Sequence, residues 1–129
     1  MIDKGMLNFM KSLLERNGFN VKTALLKFQL GNSKLDDIIT FSLPAGHSCP
    51  FAKDCRSCCI RNLRKRHDIG DKRKYIIQDG PETKFRCFAA IDEVLRPPVR
   101  ASRWGNFLLL KSKTKNELVK LIQKSIDTL

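Results

Sequence analysis

His47-Ser48-Cys49-Pro50-Phe51-Ala52-Lys53-Asp54-Cys55-Arg56-Ser57-Cys58-Cys59 is the stretch around which this chain is organised. It holds four of the five cysteines; the fifth lies in Phe85-Arg86-Cys87-Phe88-Ala89-Ala90. Thiolates gathered this closely bind metal or oxidise. With 129 residues, the chain has room for one modest core. Its hydrophobic share of 42% marks a folding sequence and excludes a disordered tail. Five is an odd number, so full internal disulfide pairing is excluded. No apolar run reaches the roughly 18 residues of a membrane helix, and Met1-Ile2-Asp3-Lys4-Gly5 carries no signal-peptide pattern. The expected location is therefore cytoplasmic, where clustered cysteines are metal ligands or redox thiols more often than disulfides.

Working outward from the cysteines, Ile39, Phe41 and Leu43 alternate with polar neighbours, which predicts a strand closed by Pro44-Ala45-Gly46. Leu26, Phe28 and Leu30 predict its hairpin partner across a Gly31-Asn32-Ser33 turn. The cysteine stretch then leaves the second strand as a loop. Further back, Met6, Leu7, Met10, Leu13 and Leu14 predict a helix ending near Asn17-Gly18. Beyond the loop, Tyr75-Ile76-Ile77 predicts a short strand, turning at Asp79-Gly80-Pro81 with Thr83–Phe88 as its returning partner. Ala89–Leu95 predicts a helix stopped by Pro97-Pro98, and Val99–Leu110 another, with Trp104, Phe107 and Leu108 inward. Thr114 and Glu117 form a capping box for a last helix. The expected fold is α+β: one domain with a small antiparallel sheet of hairpins. A helix at 1–20 precedes a cysteine-containing core at 21–110, and a second helix follows at 111–129. A chain ending on that helix is either a finished domain or a shortened form of a longer fold.

Two ligand chemistries can be written with these thiols. Cys49, Cys55 and Cys87 would hold a cubic iron–sulfur cluster with one iron open. Adding Cys58 or Cys59 would close a four-ligand zinc site, and His47 could replace a thiolate in either. Neighbouring residues rarely ligate one ion together, so one of Cys58 and Cys59 is spare. The plainer reading is buried, core-filling cysteine, most credible for Cys87 between Phe85 and Phe88.

The formal charge of +12 favours nucleic acid, an acidic partner protein or an anionic cofactor. Its densest run carries Arg61, Arg64, Lys65, Arg66, Lys72, Arg73 and Lys74. These would track phosphates with strong salt dependence, or form a solvated loop. The run holds no aromatic residue before Tyr75, which leaves base stacking poorly supported there. Lys34, in the hairpin turn, would offer a further positive charge to an anion. Nucleotide-binding glycine loops, zinc-protease motifs and serine-nucleophile elbows do not occur.

The segments Gly31-Asn32-Ser33-Lys34-Leu35, Thr40-Phe41-Ser42-Leu43-Pro44-Ala45-Gly46, Cys49-Pro50 and Cys87-Phe88-Ala89 together resemble a bacteriophage family, the gene-product-eighty-eight family. Ser102-Arg103-Trp104-Gly105-Asn106-Phe107 is similar to related phage sequences, so the resemblance covers roughly Leu30 to Leu110. The family has no established activity. Its cysteine pattern resembles the cluster loop of radical S-adenosylmethionine enzymes, which implies Cys49, Cys55 and Cys87 as cluster ligands and S-adenosylmethionine as a co-substrate. If the chain is phage-encoded, the expected location is the host-cell cytoplasm, and a further expectation is an accessory protein whose positive charge binds an acidic host partner. A small basic nucleic-acid-binding protein stapled by zinc, without enzymatic activity, is the alternative expectation.

Overall fold

A computed structural model describes residues 4–30, 38–62 and 74–129. It contains four helices and two small antiparallel sheets among these residues, an α+β fold as expected. The chain divides into two compact units: Met1–Phe9 with Pro44–Arg100, and Met10–Leu43 with Ala101–Leu129.

Helix α1 spans Lys4–Arg16 and buries Met6 and Met10, one turn apart on its apolar stripe. It ends where the sequence predicts. Gly18 adopts φ +96°, and the Phe19 amide reaches back to the Leu14 carbonyl at 2.9 Å, closing the last turn.

The second unit holds strands β1 (Phe28–Gln29) and β2 (Thr40–Phe41), paired antiparallel with Phe28 opposite Phe41. The hairpin partners are as predicted, although each strand is only two residues long; the turn at 31–33 lies outside the described residues. Asn106 holds this pair from behind. Its side chain accepts from the Lys27 amide at 2.8 Å and donates to the carbonyls of Lys27 and Ser42. Side-chain bonds thus replace the ladder that a longer hairpin would form. Trp104 and Leu109 are fully buried, and Trp104 meets Phe107 edge-on at 5.7 Å. Helix α4 (Lys115–Asp127) starts at the capping box: the Thr114 hydroxyl accepts from Glu117 N, and the Glu117 carboxylate accepts from Thr114 N. Ser125 on α4 accepts from the Leu26 amide at 3.0 Å.

The first unit departs from the sequence reading. Tyr75–Asp79 is a strand, β4, but its partner is β3 (Ser57–Arg61), not Thr83–Phe88. The cysteine stretch is therefore a loop only as far as Arg56, and Cys58 and Cys59 belong to β3. Ser-Cys-Cys-Ile-Arg shows no apolar–polar alternation, so periodicity could not find it. Thr83 serves the turn instead: its hydroxyl donates to the Arg56 carbonyl and accepts from the Gly80 amide. Helix α2 (Phe88–Leu95) packs on both strands of this hairpin. Helix α3 (Pro97–Ser112) begins on the two prolines that end α2, because a first helical turn needs no amide donor there.

Candidate thiol site

Gly46 seats the cysteine loop on β3. Its φ of +74° is left-handed, and a Cβ there would lie 2.4 Å from Cys58 Sγ and 2.5 Å from the Ser57 carbonyl oxygen. Glycine is thus required both by conformation and by space. The turn continues through His47 N to Ala45 O at 2.8 Å and Cys49 N to Gly46 O at 3.4 Å. Cys49 therefore follows one turn after the glycine that covers Cys58.

Two polar anchors fix this loop from below. The buried Glu93 carboxylate accepts from the Ala45 amide at 2.9 Å. The buried His47 Nε2 lies 3.2 Å from the Cys59 carbonyl. A carbonyl only accepts, so Nε2 carries the proton there. From above, the Arg56 guanidinium closes the loop, donating to the carbonyls of Ala52 and Cys49.

The loop is also tied to the segment that delivers Cys87. The Asp54 carbonyl accepts from the amides of Lys84 (2.6 Å) and Phe85 (3.2 Å). Buried Ser57 donates to Asp79 Oδ1 at 3.1 Å and accepts from the Cys87 amide at 3.4 Å. Cys87 is the N-cap residue of α2, and its side chain makes no capping bond. Cys87 is only half-buried, and its neighbours Phe85 and Phe88 are exposed, so the reading of a cysteine packed between two core rings fails here.

All five cysteines are free; Cys49, Cys55, Cys58 and Cys87 are half-buried and Cys59 is buried. Burial pushes the Cys58 thiol up, Arg56 opposes this, and Glu93 and Cys49 reinforce it. Cys59 is pushed up to about 12, first by burial and then by Glu93, while Arg100 acts against the shift. Arg100 itself is buried, donates to the Glu93 carbonyl at 2.9 Å, and lies 3.5 Å over the Tyr75 ring. Cys59 is thereby a core thiol, protonated at neutral pH and held in a polar pocket. Among the described residues, no three His, Cys, Asp or Glu side chains stand together as a metal-ligand group. As it stands, the loop does not form a finished metal cage.

Of the basic residues singled out from sequence, Arg61 and Lys74 are described. Arg61 lies 4.2 Å over the Phe9 ring, and the Lys74 carbonyl accepts from Asn62 N at 2.8 Å. Lys34, Arg64, Lys65, Arg66, Lys72 and Arg73 lie outside the described residues. No helix among the described residues is long and apolar enough to cross a membrane. Sequence reasoning missed Arg56, Ser57, Glu93 and Arg100, the polar frame of the site. The signal it could have used is Glu93 within the apolar Phe88–Leu95 helix, a charge that needs a partner.

The family model described as Gene product 88 matches residues 12–129. The chain belongs to the Gene product 88 family. This is the family that the motifs between Leu30 and Leu110 led one to expect. Comparison with curated proteins and with solved structures finds no match. Within this family member, Cys49-Pro50 and Cys87-Phe88-Ala89, two of the motifs carrying the resemblance, fall in the same compact unit.

Proposed function

We propose that this Gene product 88 family protein binds a metal centre, an iron–sulfur cluster or zinc, through Cys49, Cys55, Cys58 and Cys87. One observation carries the reading: a loop bearing Cys49 and Cys55 sits on Cys58 through Gly46 and is bonded, through Asp54 and Ser57, to the segment bearing Cys87. These four thiols are free and partly accessible. The fifth, Cys59, is buried and protonated, which supports it as the spare of the adjacent pair. To hold a metal together, the Cys49–Cys55 loop and Cys87 would have to close around Cys58. Thiolate is the ligating form, so binding releases protons and favours neutral to alkaline pH.

Metal analysis of protein purified without oxygen tests this. Bound metal is expected, brown for a cluster and colourless for zinc. Cys49→Ser, Cys55→Ser, Cys58→Ser and Cys87→Ser should each lower it strongly, and Cys59→Ser should not. Equal metal in all five variants and the parent, or none in the parent, overturns the reading.

A further inference from the structure

Three phenylalanines of the first unit stand in solvent. Phe51 is 96% exposed, Phe85 62% and Phe88 81%. They come from two segments that the fold lays side by side: the Asp54 carbonyl bonds both Lys84 N and Phe85 N, and Lys53 reaches Glu82 at 3.9 Å. Phenylalanine has no polar tip, so such exposure is unfavourable unless a partner covers the rings.

The surroundings of the rings choose the partner. Basic residues alternate with them, as in Phe51-Ala52-Lys53 and Lys84-Phe85-Arg86-Cys87-Phe88. The apolar core of a protein–protein interface is depleted of lysine, which stands here at Lys53 and Lys84. Stacking rings interleaved with cations are instead the makings of a single-strand platform: every base has a face to stack, and every nucleotide has a phosphate. The three cations are paired with carboxylates: Lys53 with Glu82, Lys84 with Asp54 at 3.8 Å, and Arg86 with Asp79 at 3.3 Å. All three pairs are solvent-exposed, and exposed pairs contribute little, so exchange for a phosphate is cheap. The chain's surplus of 25 Lys and Arg over 13 Asp and Glu attracts a polyanion to the protein as a whole. Duplex DNA fits less well, because its bases are already stacked on one another.

We propose that Phe51, Phe85 and Phe88, with Lys53, Lys84 and Arg86, form a binding face for single-stranded DNA. The proposal uses none of the thiols and none of the basic residues between Arg61 and Lys74.

The test is fluorescence anisotropy with a labelled deoxythymidine oligomer of about 16 nucleotides and a duplex of the same length, on the full reduced chain. Phe51→Ala and Phe88→Ala should each weaken single-strand binding about tenfold and change duplex binding less than about twofold. Phe51→Trp should keep or strengthen the single-strand complex. Both positions are so exposed that truncation leaves the fold intact, which thermal unfolding of each variant checks. The proposal is overturned if the parent fails to bind the oligomer or if both DNA forms weaken equally. It also fails if the substitutions alter self-association of the free protein while leaving DNA affinity unchanged. Repeating the titration after chelation keeps it distinct from the metal reading: lost metal with retained oligomer binding leaves this face standing.

Discussion

At the scale of single residues, the two left-handed glycines separate conformational need from spatial need. Gly18 has φ +96° and open space where a Cβ would go. Gly46 has φ +74° and the Cys58 sulfur and Ser57 carbonyl in that space. Gly18→Ala should therefore cost only the left-handed penalty, about 1 kcal/mol. Gly46→Ala adds overpacking against backbone, for a total of about 2–4 kcal/mol. Urea unfolding of the two variants measures the difference; equal costs would mean that the loop does not rest on β3. The sequence marks both positions as turns, but nothing in Pro-Ala-Gly says which atoms lie opposite. The same holds for Cys58 and Cys59. They are neighbours of one type, and strand alternation gives them opposite faces, one against Gly46 and one in the core beside Arg100.

At the scale of elements, the helices were legible and the strands only half so. Helix α4 begins at Thr114 because both bonds of the capping box form there, a signal carried by four consecutive residues. Thr114→Ala should lower stability by about 1 kcal/mol and fray the first turn of α4. Circular dichroism during thermal unfolding, together with amide exchange at Glu117 and Leu118, reads this; unchanged protection would show the cap to be idle. Glu117 titrates below the usual carboxylate range, first because it accepts from the Thr114 amide and then through the Thr114 hydroxyl. A carboxyl lowered in the folded state stabilises above its unfolded pKa and loses that contribution as pH falls through its folded value. The Thr114→Ala deficit should accordingly shrink in acid. Strand β3 had no comparable local mark. Its partner lies beyond residues 63–73, and the charge that follows Ile60 disguises the end of a strand as the start of a basic loop.

At the scale of the whole molecule, the metal reading makes stability depend on loading. A centre joining Cys49 to Cys87 would close a loop of more than thirty residues. By analogy with a disulfide, such closure restricts the unfolded chain by roughly 3–4 kcal/mol, and ligand bonds add to it. Domains of this kind retain only about 5–15 kcal/mol in all. Stripping the metal with a chelator under reducing conditions should lower the melting temperature clearly. It should also speed exchange of the β3 and β4 amides more than those of α4. Coincident melting curves, with metal confirmed before and absent after, would mean that the centre does not hold the fold.

The sequence by itself determined the helices, their caps, the positive charge, the family and the five thiols. Each of these is written in a few adjacent residues or in simple counts, because helix hydrogen bonds and caps reach no further than a turn. Only the tertiary structure decided that Tyr75–Asp79 pairs back onto Ser57–Arg61, that Glu93 and Arg100 lie beneath the cysteine loop, and that Phe85 and Phe88 face solvent. Strand pairing and burial join residues far apart in the chain, and an aromatic outside a periodic segment, as Phe85 is, carries no local sign of which way it will face. Its environment is set by what the rest of the chain lays against it.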